Sequence, residues 1–251
     1  RDFSIETTIP TSAGIFHMWA DKLGRQLWVN CDIDKVTDVI NLRTLQVVAS
    51  IPTPADLVSM GGKPHDVILG PLGRLAYITV LGLPGSNDYV VQFNTRTRQE
   101  MGRAAVGKDP HLSLTTWNRY LYVPCQGTDE VIVLNRYTMQ QKKSINVPGA
   151  HGAGMPNHGQ VFYTTNLPGG GTDGLFAINT HRNRVIGSAD TPYAVPHNIA
   201  LIQSSRKLYL THSGATSDKV TVYGVSIHHP VPVYITEITV GLNPFGLAYS
   251  R

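Results

Sequence analysis

A fourfold pattern of short strands, repeated at a period of about 45 residues, constrains the fold of this chain most strongly. Five copies follow one another, and in each copy the segments rich in Val, Ile, Tyr and Thr are separated by turn residues. The second segments of the copies read LWVNC, AYITV, LYVPC, FYTTN and LYLTH. Such segments indicate an all-β fold, and four strands per repeat are typical of a β-propeller. A β-sandwich would not repeat one four-strand unit five times.

We therefore expect residues 1–251 to form a single β-propeller domain of four-stranded blades, or a fragment of a larger propeller. Five blades are complete, and both termini are predicted to form a split, incomplete sixth blade. The segment FSIETTIP (3–10) resembles a fourth strand, and NPFGLAYSR (243–251) resembles a first strand. Propellers protect their strand edges by closing the ring in this way. The two middle strands of the sixth blade have no counterpart in the sequence.

The second strands carry a tyrosine-led motif that identifies a repeat family. The copies are Tyr77-Ile78-Thr79-Val80, Tyr122-Val123-Pro124-Cys125, Tyr163-Thr164-Thr165-Asn166 and Tyr209-Leu210-Thr211-His212. The motif resembles that of the YVTN-type β-propeller repeat family, and the resemblance covers nearly the whole chain. It implies a propeller fold but no particular activity, because this repeat hosts many roles.

Composition excludes several classes of function. The net charge is +4, but the basic residues are scattered rather than gathered on one face, so nucleic-acid binding is not expected. No apolar stretch approaches the ~20 residues of a membrane span. The two cysteines, Cys31 and Cys125, form neither a disulfide scaffold nor a paired metal motif.

Histidine recurs where the first strand of each repeat begins. The dipeptides at this position are Phe16-His17, Pro64-His65, Pro110-His111, Ala150-His151 and Pro196-His197, and a sixth copy reads Pro244-Phe245. The first strand of a propeller blade lines the central channel, so equivalent positions form a ring. We therefore expect the five imidazoles to converge at one mouth of the channel. Proline stiffens the chain just before three of them.

Converging imidazoles predict a metal site. Nitrogen donors without carboxylates favour copper, nickel or zinc over calcium or magnesium, and a planar ring favours copper, with nickel or zinc as alternatives. Asp66, His212 and Cys125 are expected to support the ligands from surrounding positions. A structural interpretation stays open, in which duplication copied one ancestral histidine that hydrogen-bonds a loop in every blade.

A histidine-lined channel is similar to copper propellers such as the propeller domain of nitrous oxide reductase. The similarity concerns architecture and ligand type, and the chain has no recognisable cupredoxin domain, so that reductase reaction is not implied. We expect a copper-binding propeller with copper-dependent oxidoreductase activity. Such an enzyme would act on a small-molecule substrate or with a redox partner, and we expect it in the periplasm or outside the cell.

Two other functions remain open from the sequence. One is a non-redox lyase or hydrolase in which one or two of these histidines act as general base, loosely comparable to virginiamycin-lyase-like propellers. The other is a non-catalytic binding propeller with an incidental histidine ring.

Overall fold

The computed structural model describes residues 4–114 and 118–249. The chain divides into two compact units. Unit 1 comprises Arg1–Gly85 and Val90–Arg103, and unit 2 comprises Ser86–Tyr89 and Ala104–Arg251. Strands dominate both units. Within the described ranges, no helix is long and apolar enough to cross a membrane.

The first two repeats each form a four-stranded sheet whose strands are ordered as in the sequence. The first sheet contains β1 (Ile15–Ala20), β2 (Gln26–Cys31), β3 (Val36–Asn41) and β4 (Gln46–Pro52). A short helix, α1 (Ala55–Ser59), leads into the second sheet. That sheet contains β5 (Lys63–Leu69), β6 (Leu75–Leu81), β7 (Asp88–Asn94) and β8 (Glu100–Val106).

The third repeat is described without residues 115–117, which fall where its first strand is expected. The described part of its sheet has three strands, β9 (Tyr120–Cys125), β10 (Glu130–Asn135) and β11 (Gln141–Asn146). Two isolated antiparallel bridges, Pro110 to Cys125 and Ser113 to Tyr122, lie just before the residues outside the description. A 3₁₀ turn, Gln126–Thr128, follows β9.

The fourth and fifth repeats are complete four-stranded sheets in sequence order. The fourth contains β12 (Ala150–Gly154), β13 (Val161–Asn166), β14 (Gly171–Asn179) and β15 (Arg184–Thr191). The fifth contains β16 (Pro196–Ile202), β17 (Lys207–His212), β18 (Lys219–Gly224) and β19 (Val233–Thr239). A second 3₁₀ turn, Gln203–Ser205, joins β16 to β17.

Apolar side chains of the middle strands form the core between neighbouring blades. In unit 2, Tyr122 of β9 stacks on Phe162 of β13 with ring centroids 5.0 Å apart, and Val131 and Ile178 complete that layer. Full burial of such side chains contributes about 1.5–3 kcal/mol each. The repeated four-strand sheets and this packing confirm the predicted all-β propeller fold.

The structure does not show the predicted split sixth blade. Residues 4–14 and 240–249 form no strand, and residues 1–3, 250 and 251 lie outside the described part. The segment at the end of unit 2 nevertheless lies against β17, because Thr211 and Ser213 donate hydroxyl hydrogen bonds to the carbonyls of Phe245 and Pro244.

Candidate metal centre

Four of the five predicted histidines lie in a one-residue bulge at the start of the inner strand. In the fourth repeat the register passes from Ala150 opposite Asn166 to Ala153 opposite Thr164, so β12 carries one extra residue around His151. The same shift occurs in β1, β5 and β16, around His17, His65 and His197. A bulge twists the strand and redirects the side chains within it.

A threonine of the tyrosine-led motif stabilises three of these bulges. The backbone N–H that follows the histidine donates to the threonine hydroxyl of the second strand at 2.8 to 2.9 Å. The pairs are Asp66 with Thr79, Gly152 with Thr165, and Asn198 with Thr211. The bulge disrupts the regular ladder of hydrogen bonds, and a buried amide without an acceptor is costly. The motif threonine supplies that acceptor.

Unit 1 brings two of the predicted ligands together. The rings of His17 and His65 meet edge to face with centroids 5.0 Å apart, and each offers a donor nitrogen within 4.8 Å of the other. Asp66, predicted to support the ligands, has its Oδ1 atom 3.9 Å from Nδ1 of His17, which is too long for a hydrogen bond. The same oxygen accepts the N–H of Val67 at 2.8 Å.

Unit 2 brings the other three together with a carboxylate. We call Asp109, His111, His151 and His197 the unit 2 cluster. The ring centroids of His111 and His151 are 3.8 Å apart, and those of His151 and His197 are 4.5 Å apart. All three histidines are buried. Oδ1 of Asp109 lies 3.8 Å from Nε2 of His111.

A chain of hydrogen bonds assigns the protons in this cluster. Nδ1 of His151 lies 3.0 Å from Oε1 of Gln126, which only accepts, so that nitrogen carries the proton of a neutral ring. Nε2 of His151 is therefore an acceptor, and it lies 3.1 Å from Nε2 of His197. The geometry makes His197 the donor and His151 the acceptor.

The other side of His197 agrees with this assignment. The amide nitrogen of Asn198 lies 2.7 Å from Nδ1 of His197 and 2.9 Å from the carbonyl oxygen of Phe245. Its bond to Phe245 orients the amide so that nitrogen, not oxygen, faces the imidazole. Nδ1 of His197 accepts, and the proton of that ring lies on Nε2.

Close backbone approach holds β12 and β16 together at the cluster. A Cβ atom at Gly152 would lie 2.1 Å from the carbonyl oxygen of His197. Only glycine allows the two inner strands to approach so closely, and this approach places His151 beside His197. The carbonyl of His197 also lies 3.5 Å from the hydroxyl of Thr165.

The two other predicted supporting residues are buried and hydrogen-bonded. His212 places Nε2 2.8 Å from the hydroxyl of Thr221 and Nδ1 3.2 Å from the carbonyl of Ala194, and burial lowers its pKa. The thiol of Cys125 lies 3.4 Å from the carbonyl of Val123, and burial raises its pKa. Cys31 and Cys125 are both free thiols. Support of a bound metal by these residues stays a prediction.

Sequence reasoning missed Asp109, Gln126 and Asn198. Asp109 stands two residues before His111, and the other four copies have Ile15, Lys63, Gly149 and Val195 there. That difference was a usable signal, whereas Gln126 and Asn198 carried none. Convergence of all five histidines on one ring, and their role as ligands, stay predictions.

Comparison with known proteins supports the fold and leaves the function open. No protein-family model and no curated protein sequence matches this chain. The structure is similar to hydrazine synthase from Kuenenia stuttgartiensis, with a TM-score of 0.79 and 15% identity over 97% of this chain and 73% of the other. It is also similar to a functionally unknown protein from Desulfotomaculum acetoxidans, with a TM-score of 0.77 and 11% identity over 93% of this chain and 72% of the other.

A third similar structure is named for the fold. It is the β-propeller domain of Cps50 (Swd1) from Myceliophteria thermophila, with a TM-score of 0.71 and 12% identity over 94% of this chain and 74% of the other. The chain is a β-propeller. At these identities the likeness concerns the fold alone.

Proposed function

We propose that this propeller binds one divalent transition-metal ion through the unit 2 cluster, with copper as the metal. The observation that carries the proposal is that Asp109, His111 and His151 each offer a donor atom within 4.8 Å of the others. Two donor atoms on one ion at ~2.0–2.1 Å lie at most ~4.2 Å apart. The cluster is therefore close to the size that one ion requires.

The donor chemistry suits such an ion. Two imidazoles and one carboxylate fit copper, nickel, zinc and ferrous iron, and they do not fit calcium or magnesium. Among divalent ions at sites of this kind, affinity is highest for copper. Nickel and zinc remain the alternatives.

His197 has a different role in this proposal from the one predicted from sequence. Nε2 of His197 carries the ring proton and donates a hydrogen bond to His151. His197 therefore cannot act as a ligand while Asn198 hydrogen-bonds to its other nitrogen, Nδ1. An ion on Nε2 of His151 replaces the hydrogen bond from His197. Exchanging that bond costs about 1 kcal/mol, far less than structural metal binding supplies.

A copper-dependent oxidoreductase is the extension of this proposal. A bound copper ion would supply one-electron chemistry, and a small-molecule substrate or redox partner would have to reach it. A periplasmic or secreted location belongs to the same proposal, since copper use is expected there.

A second candidate function rests on the protonation of His151. Because Gln126 holds the proton on Nδ1, Nε2 is the basic nitrogen of this ring and can accept a proton once His197 moves away. A base oriented in this way suits proton abstraction in a lyase or hydrolase. This function needs no metal, and metal titration therefore separates it from the first.

The experiment is calorimetric titration of metal-free protein, purified without a polyhistidine tag, with Cu²⁺, Ni²⁺, Zn²⁺ and Fe²⁺. We expect one tight site that is lost in His111→Ala/His151→Ala. The matched control is His181→Ala/His229→Ala, which removes two exposed imidazoles and should leave binding unchanged. Absence of a tight site for all four ions, or equal losses in both double variants, contradicts the proposal.

A further inference from the structure

A second concave site lies in unit 2 at the opposite ends of the strands that carry the histidines. It has a volume of about 260 Å³ and opens between the turns that follow β12, β16 and β18. His151 and His197 are near the beginnings of β12 and β16, whereas this cavity lies beyond their ends. Nothing in the metal proposal uses it.

The walls of the cavity are mainly apolar. Pro156, Leu201, Val225 and the ring of Tyr163 line it. The hydroxyl of Tyr163 is engaged elsewhere, since it donates to the carbonyl of Pro230 at 2.8 Å. The ring, not the hydroxyl, is thus what Tyr163 offers to a bound molecule. Apolar walls with a few convergent polar groups are typical of small-molecule sites.

The charged groups of the cavity are all cationic. Arg206 and Lys207 line it, and neither forms a salt bridge within residues 4–114 and 118–249. No aspartate or glutamate belongs to the lining in those ranges. Arg206, in the left-handed conformation with φ of 54°, ends the 3₁₀ turn.

His158 adds a hydrogen-bond donor. Its Nδ1 accepts the N–H of Gln160 at 3.1 Å, which leaves the ring proton on Nε2. Burial lowers the pKa of His158, so the ring is neutral at neutral pH. The cavity therefore combines two cations with neutral donors such as Nε2 of His158, and the described lining contains no carboxylate.

We propose that this cavity binds a small organic carboxylate with an apolar body. The apolar body lies among Leu201, Val225 and the Tyr163 ring. The carboxylate is held by Arg206 and Lys207, since a guanidinium and an ammonium form the strong charge-assisted hydrogen bonds that carboxylates accept. The small volume limits the ligand to about the size of one substituted ring.

Benzoate and its neutral counterpart benzamide test the proposal. Both have the same ring, so a difference in affinity reports the charge. By ligand-observed and protein-observed NMR we expect saturable binding of benzoate, about tenfold or more tighter than benzamide. Equal affinities, or no saturable binding of benzoate, would overturn the proposal.

Charge variants locate the binding. Arg206→Gln and Lys207→Gln should each weaken benzoate about tenfold and leave benzamide unchanged. Arg182→Gln, which removes an exposed cation outside the lining, should have no effect on benzoate. A loss in Arg182→Gln equal to that in Arg206→Gln would show general charge attraction and overturn the site. The result is independent of metal, so His111→Ala/His151→Ala should bind benzoate normally.

Discussion

Nε2 of His151 and Nε2 of His197 lie 3.1 Å apart, within hydrogen-bonding distance, so one of them carries the shared proton. Gln126 on one side and Asn198 on the other assign that proton to His197. The same separation suits two nitrogens on one metal, because cis ligands at ~2.0–2.1 Å lie about 3 Å apart. A change in the hydrogen bond from Gln126 or Asn198 should therefore decide whether the two imidazoles share a proton or bind a metal together.

Asn198→Asp should convert His197 into a ligand. The new carboxylate accepts a hydrogen bond from Nδ1 of His197, which moves the ring proton away from Nε2. We expect copper affinity to rise about tenfold, as His197 adds a donor, while the metal-free protein loses about 1–3 kcal/mol of stability because the bond to Phe245 is lost.

Nitrogen-15 NMR of the metal-free protein and copper titration measure the two effects. Asn146→Asp, an exposed change of the same charge, is the control and should alter neither. Unchanged tautomers of His197 in Asn198→Asp would refute the proton assignment.

Gly152→Ala should destabilise unit 2 and disturb the cluster. The added methyl group would lie 2.1 Å from the carbonyl oxygen of His197, so β12 and β16 must separate. Overpacking of this kind costs about 1–3 kcal/mol, and metal affinity should fall with it. Urea denaturation measures the loss of stability, and copper titration measures the loss of affinity. Gly241→Ala, whose added Cβ would have no atom within 4 Å, should change neither. Equal effects of the two variants would contradict the close approach.

Two adjacent threonines of β13 should respond oppositely to valine. Thr165 accepts the bulge amide of Gly152 at 2.8 Å, whereas the buried hydroxyl of Thr164 has no hydrogen-bond partner in the described part of the chain. Thr165→Val should cost about 1–3 kcal/mol, because it leaves a buried amide unsatisfied. Thr164→Val should be neutral or stabilising. Chemical denaturation of both variants measures their free energies of unfolding. A loss of stability in Thr164→Val as large as in Thr165→Val would argue against the role of the motif threonine in the bulge.

The repeat and most of its strands could be predicted from the sequence, but the direction of the histidine side chains could not. The period of the second segments places β2, β6, β9, β13 and β17 correctly. The bulges at His151 and His197 depend on a one-residue difference between paired strands, which no residue pattern marks. At the third inner strand, the described residues form two bridges, and residues 115–117 lie outside the described part.

Asp109 was missed for a related reason. Its backbone is left-handed, with φ of 54°, and its carboxylate lies 3.8 Å from Nε2 of His111. The sequence shows an aspartate before a proline, which usually indicates turn chemistry. Gln126 and Asn198 became visible only through hydrogen bonds between separate strands and turns.

His212 should make the stability depend on pH. Burial lowers its pKa in the folded state, while in the unfolded chain its pKa is near the ordinary value of 6.5. The unfolded state binds more protons below that value, so stability present above pH 6.5 is lost as the pH falls toward the folded pKa. Tyr193 and Glu237 face this imidazole, and the carboxylate of Glu237 opposes the shift.

Urea denaturation at pH 7.5 and pH 5.5 measures this dependence. His212→Asn should show a smaller loss between the two pH values than the parent protein. His158, whose pKa burial also lowers, accounts for part of the remaining loss, and His158→Asn reports it separately. An unchanged pH dependence in His212→Asn would mean that this histidine is not buried as a neutral group.

The most direct test of the central claim is the electron paramagnetic resonance spectrum of the copper-loaded protein, with the metal content of the same sample. We predict one copper per chain and a nitrogen hyperfine pattern from two imidazoles, those of His111 and His151. The pattern should disappear in His111→Ala/His151→Ala and persist in His181→Ala/His229→Ala. A protein that takes up no copper, or a spectrum unchanged in His111→Ala/His151→Ala, would contradict a metal centre in the unit 2 cluster.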